Sequence, residues 1–163
     1  MSPDLRELFA AVLDYDPDRR RANHLLKVDS YAELIGLAEG MGDEERHWLR
    51  VACFLHDIGI KPSLEKRGSS DGAYQQLEGP PVAEGILAKY DCPRGRIERV
   101  KWLIAHHHEY SAIDGLDHRI LVEADFLVNC DEGDMETEQI RGIRDKIFRT
   151  ECGARMLETL FGL

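Results

Sequence analysis

Val51-Ala52-Cys53-Phe54-Leu55-His56-Asp57-Ile58-Gly59 decides how the rest of the chain is read. Trp48, Leu49, Ala52 and Leu55 recur at spacings of three and four, which makes an apolar helical face. His56 continues that face four residues after Ala52, Asp57 follows it directly, and Gly59 is a helix stop. An imidazole and a carboxylate are thus delivered side by side where an apolar helix runs out. For a single His-Asp pair, a core histidine beside a capping aspartate is explanation enough. The pair is not isolated. His24 lies upstream, and His106-His107-His108 and Asp125 lie downstream, each on or beside the apolar face of its own predicted helix. Imidazoles and carboxylates converging from separate helices are the donor set of a metal site.

The composition bounds the rest. At 163 residues the chain is about one domain long and can bury a core without disulfides. A formal charge of −10 argues against a general nucleic-acid binder or a membrane-surface protein, both of which present basic faces. A small anionic substrate stays compatible with it, because local charge and a bound cation dominate inside a pocket. The four cysteines, Cys53, Cys92, Cys130 and Cys152, have no close pairing and no C-x-x-C spacing, so they are expected as free thiols. With no signal peptide and no long apolar span, a cytoplasmic location is expected.

Along the chain, Ser2-Pro3 and Asp16-Pro17 carry cap-then-proline signatures for two helices, the second running to about Ala38. On that second helix His24, Val28, Tyr31, Ile35 and Ala38 share a stripe, so His24 points inward. Ile60 to Gly72 has no periodicity and holds Pro62, Gly68 and Gly72, which predicts a long loop over the site. The helix after it is predicted to break at Gly79-Pro80-Pro81. In the next helix His107 follows Ile97, Val100 and Ile104 on one face, with His106 and His108 about 100° to either side. Ser111 to Asp117 is predicted as a second loop. Asp125 then shares an apolar stripe with Leu121, Val122 and Val128, a costly place for a carboxylate unless it is paired or binds a metal. His47 and His118 continue no apolar face toward the cluster and are expected at the surface. No strand pattern is found. An all-α, single-domain bundle over residues 1–163 is expected, with the motif-bearing core at about 23–129 and scaffold helices at 135–162.

The order His24, His56-Asp57, a histidine cluster, then Glu123-Ala124-Asp125 resembles the HD-domain superfamily of metal-dependent phosphohydrolases. That resemblance implies a helical bundle with a metal between helices, held by His24, His56, Asp57 and Asp125. It also implies hydrolysis of a phosphomonoester or nucleotide by metal-activated water, with Asp57 orienting the nucleophile. Many members hold a second ion through further histidines. Here His107, then His106, would supply it, and Glu78 stands near the place of a histidine that this sequence lacks. Mixed imidazole and carboxylate donors suit one or two divalent ions among Fe, Mn, Ni, Co, Zn and Mg.

Lys61, in the segment after the ligand pair, and Arg20, four residues before His24, are the candidates for binding substrate phosphate. The plainer interpretation of Arg19-Arg20-Arg21 is a solvated helix start. Two other functions share these letters: a di-iron oxygenase of the same superfamily, and a non-catalytic sensor or interaction module that keeps the metal as structure. The added Gly-Tyr-Pro motif of cyclic-dinucleotide hydrolases is absent, because Tyr110-Ser111-Ala112-Ile113 stands there.

Overall fold

The computed structural model describes all 163 residues and is all-helical, with nine helices and no strand. They are α1 (Leu5–Tyr15), α2 (Arg19–Ala38), α3 (Asp43–Leu55), α4 (Ile60–Arg67), α5 (Gly72–Leu87), α6 (Arg94–His106), α7 (Gly115–Glu132), α8 (Thr137–Lys146) and α9 (Glu151–Phe161). α2 packs extensively on α3 and α7, and α5 lies along α4 and α6. The buried apolar residues form one continuous cluster running from Leu8 and Val12 on α1 to Leu157 on α9. No helix is long and apolar enough to cross a membrane.

Local chemistry sets the helix ends. Asp4 and Asp18 are the caps of α1 and α2, two residues later than the expected Ser2 and Asp16: Asp4 accepts from the Arg6 and Glu7 amides and Asp18 from the Arg21 amide. α3 starts with Asp43, Glu44 and Glu45, which favour the positive end of its dipole.

Three expected irregular segments are corrected. Ile60–Arg67 is a helix rather than part of a loop, closed by Gly68 in the left-handed conformation (φ 66°). Its burial is limited to Pro62 and Ser63, so no apolar period marked it. α5 runs unbroken through Pro80 and Pro81, because its packing along α6 outweighs the backbone hydrogen bonds those prolines forfeit. α7 already begins at Gly115, whose φ of 86° turns the chain out of the preceding loop.

Gly59, read above as a helix stop, has a different reason to be glycine. It holds an ordinary negative φ at the start of α4. A Cβ there would lie 2.6 Å from the Gln75 carbonyl oxygen and 2.8 Å from the Gly79 nitrogen. α5 therefore crosses backbone against backbone, two residues after Asp57. Gly59→Ala should cost about 1–3 kcal/mol, since rigid backbone must move, whereas Gly68→Ala, with open space around it, should cost about 1 kcal/mol. Urea unfolding of the two variants checks the ranking; equal midpoints would contradict the close crossing.

Candidate metal centre

Each side chain in the cluster is placed by a helix end or a buried helix face. His56 caps the C-terminus of α3 and His107 that of α6, and both are fully buried. At a helix end the last carbonyls lack amide partners, and each histidine uses one. His56 Nδ1 lies 2.7 Å from the Cys53 carbonyl oxygen and His107 Nδ1 lies 2.7 Å from that of Ile104. The donor roles fit N–H at Nδ1, which leaves Nε2 of both rings facing inward. His24, on the buried face of α2, makes the same choice with a different partner: its Nδ1 lies 2.7 Å from Glu132 Oε1, at the end of α7.

The inward atoms meet. His24 Nε2 is 3.3 Å from His56 Nε2, 3.2 Å from Asp57 Oδ2 and 3.1 Å from Asp125 Oδ1. His56 Nε2 is 3.3 Å from Asp57 Oδ2 and 3.4 Å from Asp125 Oδ1. On the other oxygen of Asp57, His107 Nε2 lies 3.5 Å from Oδ1. The donors thus fall into two groupings, His24-His56-Asp125 and His56-Asp57-His107.

These separations suit a cation. Ligands about 2.1 Å from an ion stand roughly 3.0 Å apart at octahedral angles and roughly 3.4 Å apart at tetrahedral ones. The hydrogen bonding agrees with that spacing: Asp125 Oδ1 and His107 Nε2 are buried and have no aligned hydrogen-bond partner. One orphaned atom thus falls in each grouping, where a coordinated ion would supply the partner that the protein does not.

The charges are coupled accordingly. Burial pulls the His24 imidazole down, but the Asp125 and Asp57 carboxylates more than offset this and raise its pKa to about 10. His56 is likewise driven well above its usual value against the effect of burial, chiefly by the Asp57 charge. Burial raises Asp57 and Asp125, yet the imidazoles around them hold both below the ordinary carboxylate range.

The other expected site residues lie elsewhere. His106 stacks on Trp102 (ring centroids 4.1 Å apart) with Nδ1 2.7 Å from the Trp102 carbonyl oxygen, and so stays outside the cluster. Glu78 accepts from Lys66 Nζ at 2.8 Å and lies 3.5 Å from Arg67 Nη2. On the same helix, it is Gln75 that faces the histidine cluster, with Oε1 3.3 Å from His108 Nε2. Lys61 donates to the Tyr15 carbonyl at 2.6 Å and sits 4.8 Å from the centroid of the Tyr15 ring, tying α4 to the end of α1. Arg20 is exposed. Its neighbour Arg21 pairs with Asp16 and shares a small cavity with Asp57. About the helix axis Arg20 and Arg21 flank His24 by roughly 40° and 60°, too small a difference for the sequence to choose between them.

His118 is a correction. It is fully buried, accepts from the Asp114 amide at Nδ1 (3.0 Å) and reaches the His106 carbonyl oxygen with Nε2 (2.9 Å), pinning the loop after the histidine cluster. Glu132 left no signal in the sequence, because a glutamate ending a helix is ordinary. Tyr110, half-exposed, packs on Phe126 (4.9 Å between ring centroids), and partial burial, with the Asp125 and Asp57 charges, pushes its pKa up to about 12.

Residues 21–147 match the model of the HD domain family. Among solved structures, a predicted HD superfamily hydrolase from an uncultured Thermotogales bacterium superimposes with a TM-score of 0.70. That likeness covers 98% of this chain and 86% of the other at 22% identity, a level that establishes likeness of fold. No curated protein matches.

The couplings give a sign for pH dependence. A histidine raised from 6.5 to about 10 adds stability that is complete below pH 6.5 and disappears as pH rises through 10. Protein stripped by chelation should therefore lose melting temperature between pH 6.5 and 10, and a saturating divalent ion, standing in for the protons, should flatten that decline. Thermal melts with and without the ion check this; a flat profile for the stripped protein would contradict the coupling.

Proposed function

Because the chain belongs to the HD-domain family, we propose that it is a metal-dependent phosphohydrolase acting on a phosphomonoester or a nucleotide. What carries this is the convergence of imidazole and carboxylate atoms at 3.1–3.4 Å from α2, α3 and α7 and the turn after α3. His24, His56, Asp57 and Asp125 would hold the ion. A divalent ion in such a site supplies a water with a pKa near neutrality and polarises a phosphoryl oxygen.

The chain's own residues set the rest. Asp57 offers Oδ2 to the first grouping and keeps Oδ1 on the side of His107, so one carboxylate both contributes to the site and orients the attacking water. His107, whose Nε2 is unpartnered, would help to hold a second ion beside Asp57, and metal stoichiometry tests this. With Glu78 committed to Lys66 and His106 to Trp102, the second grouping has few donors and would bind more weakly than the first. Toward substrate phosphate, Arg21 is better placed than Arg20, because it lies beside Asp57. Lys61 acts through the position of α4.

Metal analysis and hydrolysis of p-nitrophenyl phosphate with added Mn, Co, Ni or Mg test the proposal. His56→Ala and Asp125→Ala should each lose bound metal and more than about 100-fold of activity together, since both remove a direct ligand. Metal content unchanged in both variants would end the assignment. Phosphate release without oxygen distinguishes the hydrolase from an oxygenase. Loss of turnover in Asp57→Asn with the fold intact distinguishes it from a non-catalytic module. Glu78→Gln should leave metal stoichiometry as in the wild type, and a lost ion would return Glu78 to the site.

A further inference from the structure

The three inward imidazoles are not oriented alike. His56 and His107 sit at helix C-termini, where the carbonyl three residues back is free to hold Nδ1. His24 lies well inside α2, where the neighbouring carbonyls are committed to helix hydrogen bonds. It has no such local acceptor. Glu132 supplies one from 108 residues away, with Oε1 at 2.7 Å from Nδ1.

Glu132 is also placed by geometry shared with Asp125. The two are seven residues apart on α7, two helical turns, and so project from one face. Asp125 Oδ1 stands 3.1 Å from His24 Nε2 and Glu132 Oε1 2.7 Å from His24 Nδ1. One helix grips both edges of one imidazole, and α2 and α7 pack closely enough to keep that grip.

We infer that Glu132 is a positioning residue of the centre, which holds the His24 ring with Nδ1 protonated and Nε2 directed at the cation. This rests on the metal-site proposal above. A carboxylate behind a ligating histidine fixes its tautomer and orientation and strengthens it as a ligand, and removal of such partners typically lowers metal affinity 10- to 100-fold. Glu132 is partly exposed, with 31% of its side-chain surface accessible, so its removal leaves no large cavity.

The test titrates metal-free full-length protein with Co(II), read from the ligand-field absorption bands and by competition with a chelator. Glu132→Ala should bind Co(II) about 10- to 100-fold more weakly than wild type, with bands shifted in position or intensity. Glu132→Gln keeps an acceptor without the charge and should fall between the two. Glu138→Ala, on an exposed side chain at the start of α8, should match wild type. A merely structural role at the helix end would lower melting temperature and leave Co(II) affinity and bands in place. Glu132→Ala binding within about twofold of wild type, or Glu132→Ala and Glu138→Ala losing affinity equally, would overturn the assignment. If wild type itself takes up no Co(II), the metal centre falls, and the role of Glu132 falls with it.

Discussion

Five polar side chains held within the core of a helical bundle are the constraint around which this structure is arranged. Burying an unpaired carboxylate or imidazolium costs several kcal/mol, and here two carboxylates and three imidazoles share one interior. Protons can balance them, as the raised His24 and His56 and the lowered Asp57 and Asp125 indicate. A divalent cation would balance them as well, and it would give the orphaned Asp125 Oδ1 a partner. The remainder of the bundle holds these atoms at that spacing against their tendency to separate into water.

Helix ends do much of the holding. α3 and α6 both stop at a histidine, so the free carbonyls of their last turns become fixtures for Nδ1. The turn after α3 then presents Asp57 beside His56, and α5 crossing backbone against backbone at Gly59 keeps that turn closed. On the far side Glu123 plays a structural part that its place beside Asp125 in the sequence does not suggest. Its buried carboxylate accepts from the Thr150 hydroxyl (2.8 Å) and amide, joining α7 to the start of α9. Of the Glu-Ala-Asp stretch, one acid faces the centre and the other anchors the scaffold.

Much of the centre was legible in the sequence because its residues interrupt apolar periodicity. His24, His56, His107 and Asp125 each occupy a slot where a leucine or valine would be unremarked, and helical phase alone chose His107 ahead of His106. Residues whose role depends on something other than burial were not legible. Glu132 works from a helix end near solvent, and Arg20 and Arg21 straddle the direction of His24. α4 buries only Pro62 and Ser63, so its helical character left no stripe to find. α5 carried a misleading signal: Pro80-Pro81 reads as a break in isolation, yet tertiary packing along α6 holds the helix together. His118 was misjudged because α7 starts at Gly115, three residues earlier than expected, which places its ring toward the end of α6.

Charge balance narrows how an anionic substrate would be received. Asp57, Asp125 and Glu132 against one divalent ion leave the centre one negative charge in excess, and the chain as a whole carries −10. Most nearby cations are occupied: Lys61 by the Tyr15 carbonyl, Lys66 and Arg67 by Glu78, Arg21 by Asp16. Long-range attraction would therefore contribute little to capture of the proposed phosphate substrate, and recognition would fall to direct contact with the ion and to cations that can exchange partners. Arg21 is the one beside Asp57, and a phosphate group would compete with Asp16 for its guanidinium. Such an exchange is close to neutral in hydrogen bonds, because a bidentate carboxylate pair is traded for a bidentate phosphate pair. It would place the substrate's charge beside the carboxylate proposed to orient the attacking water, and it would make the junction between α1 and α2, where Asp16 lies, part of the substrate's environment.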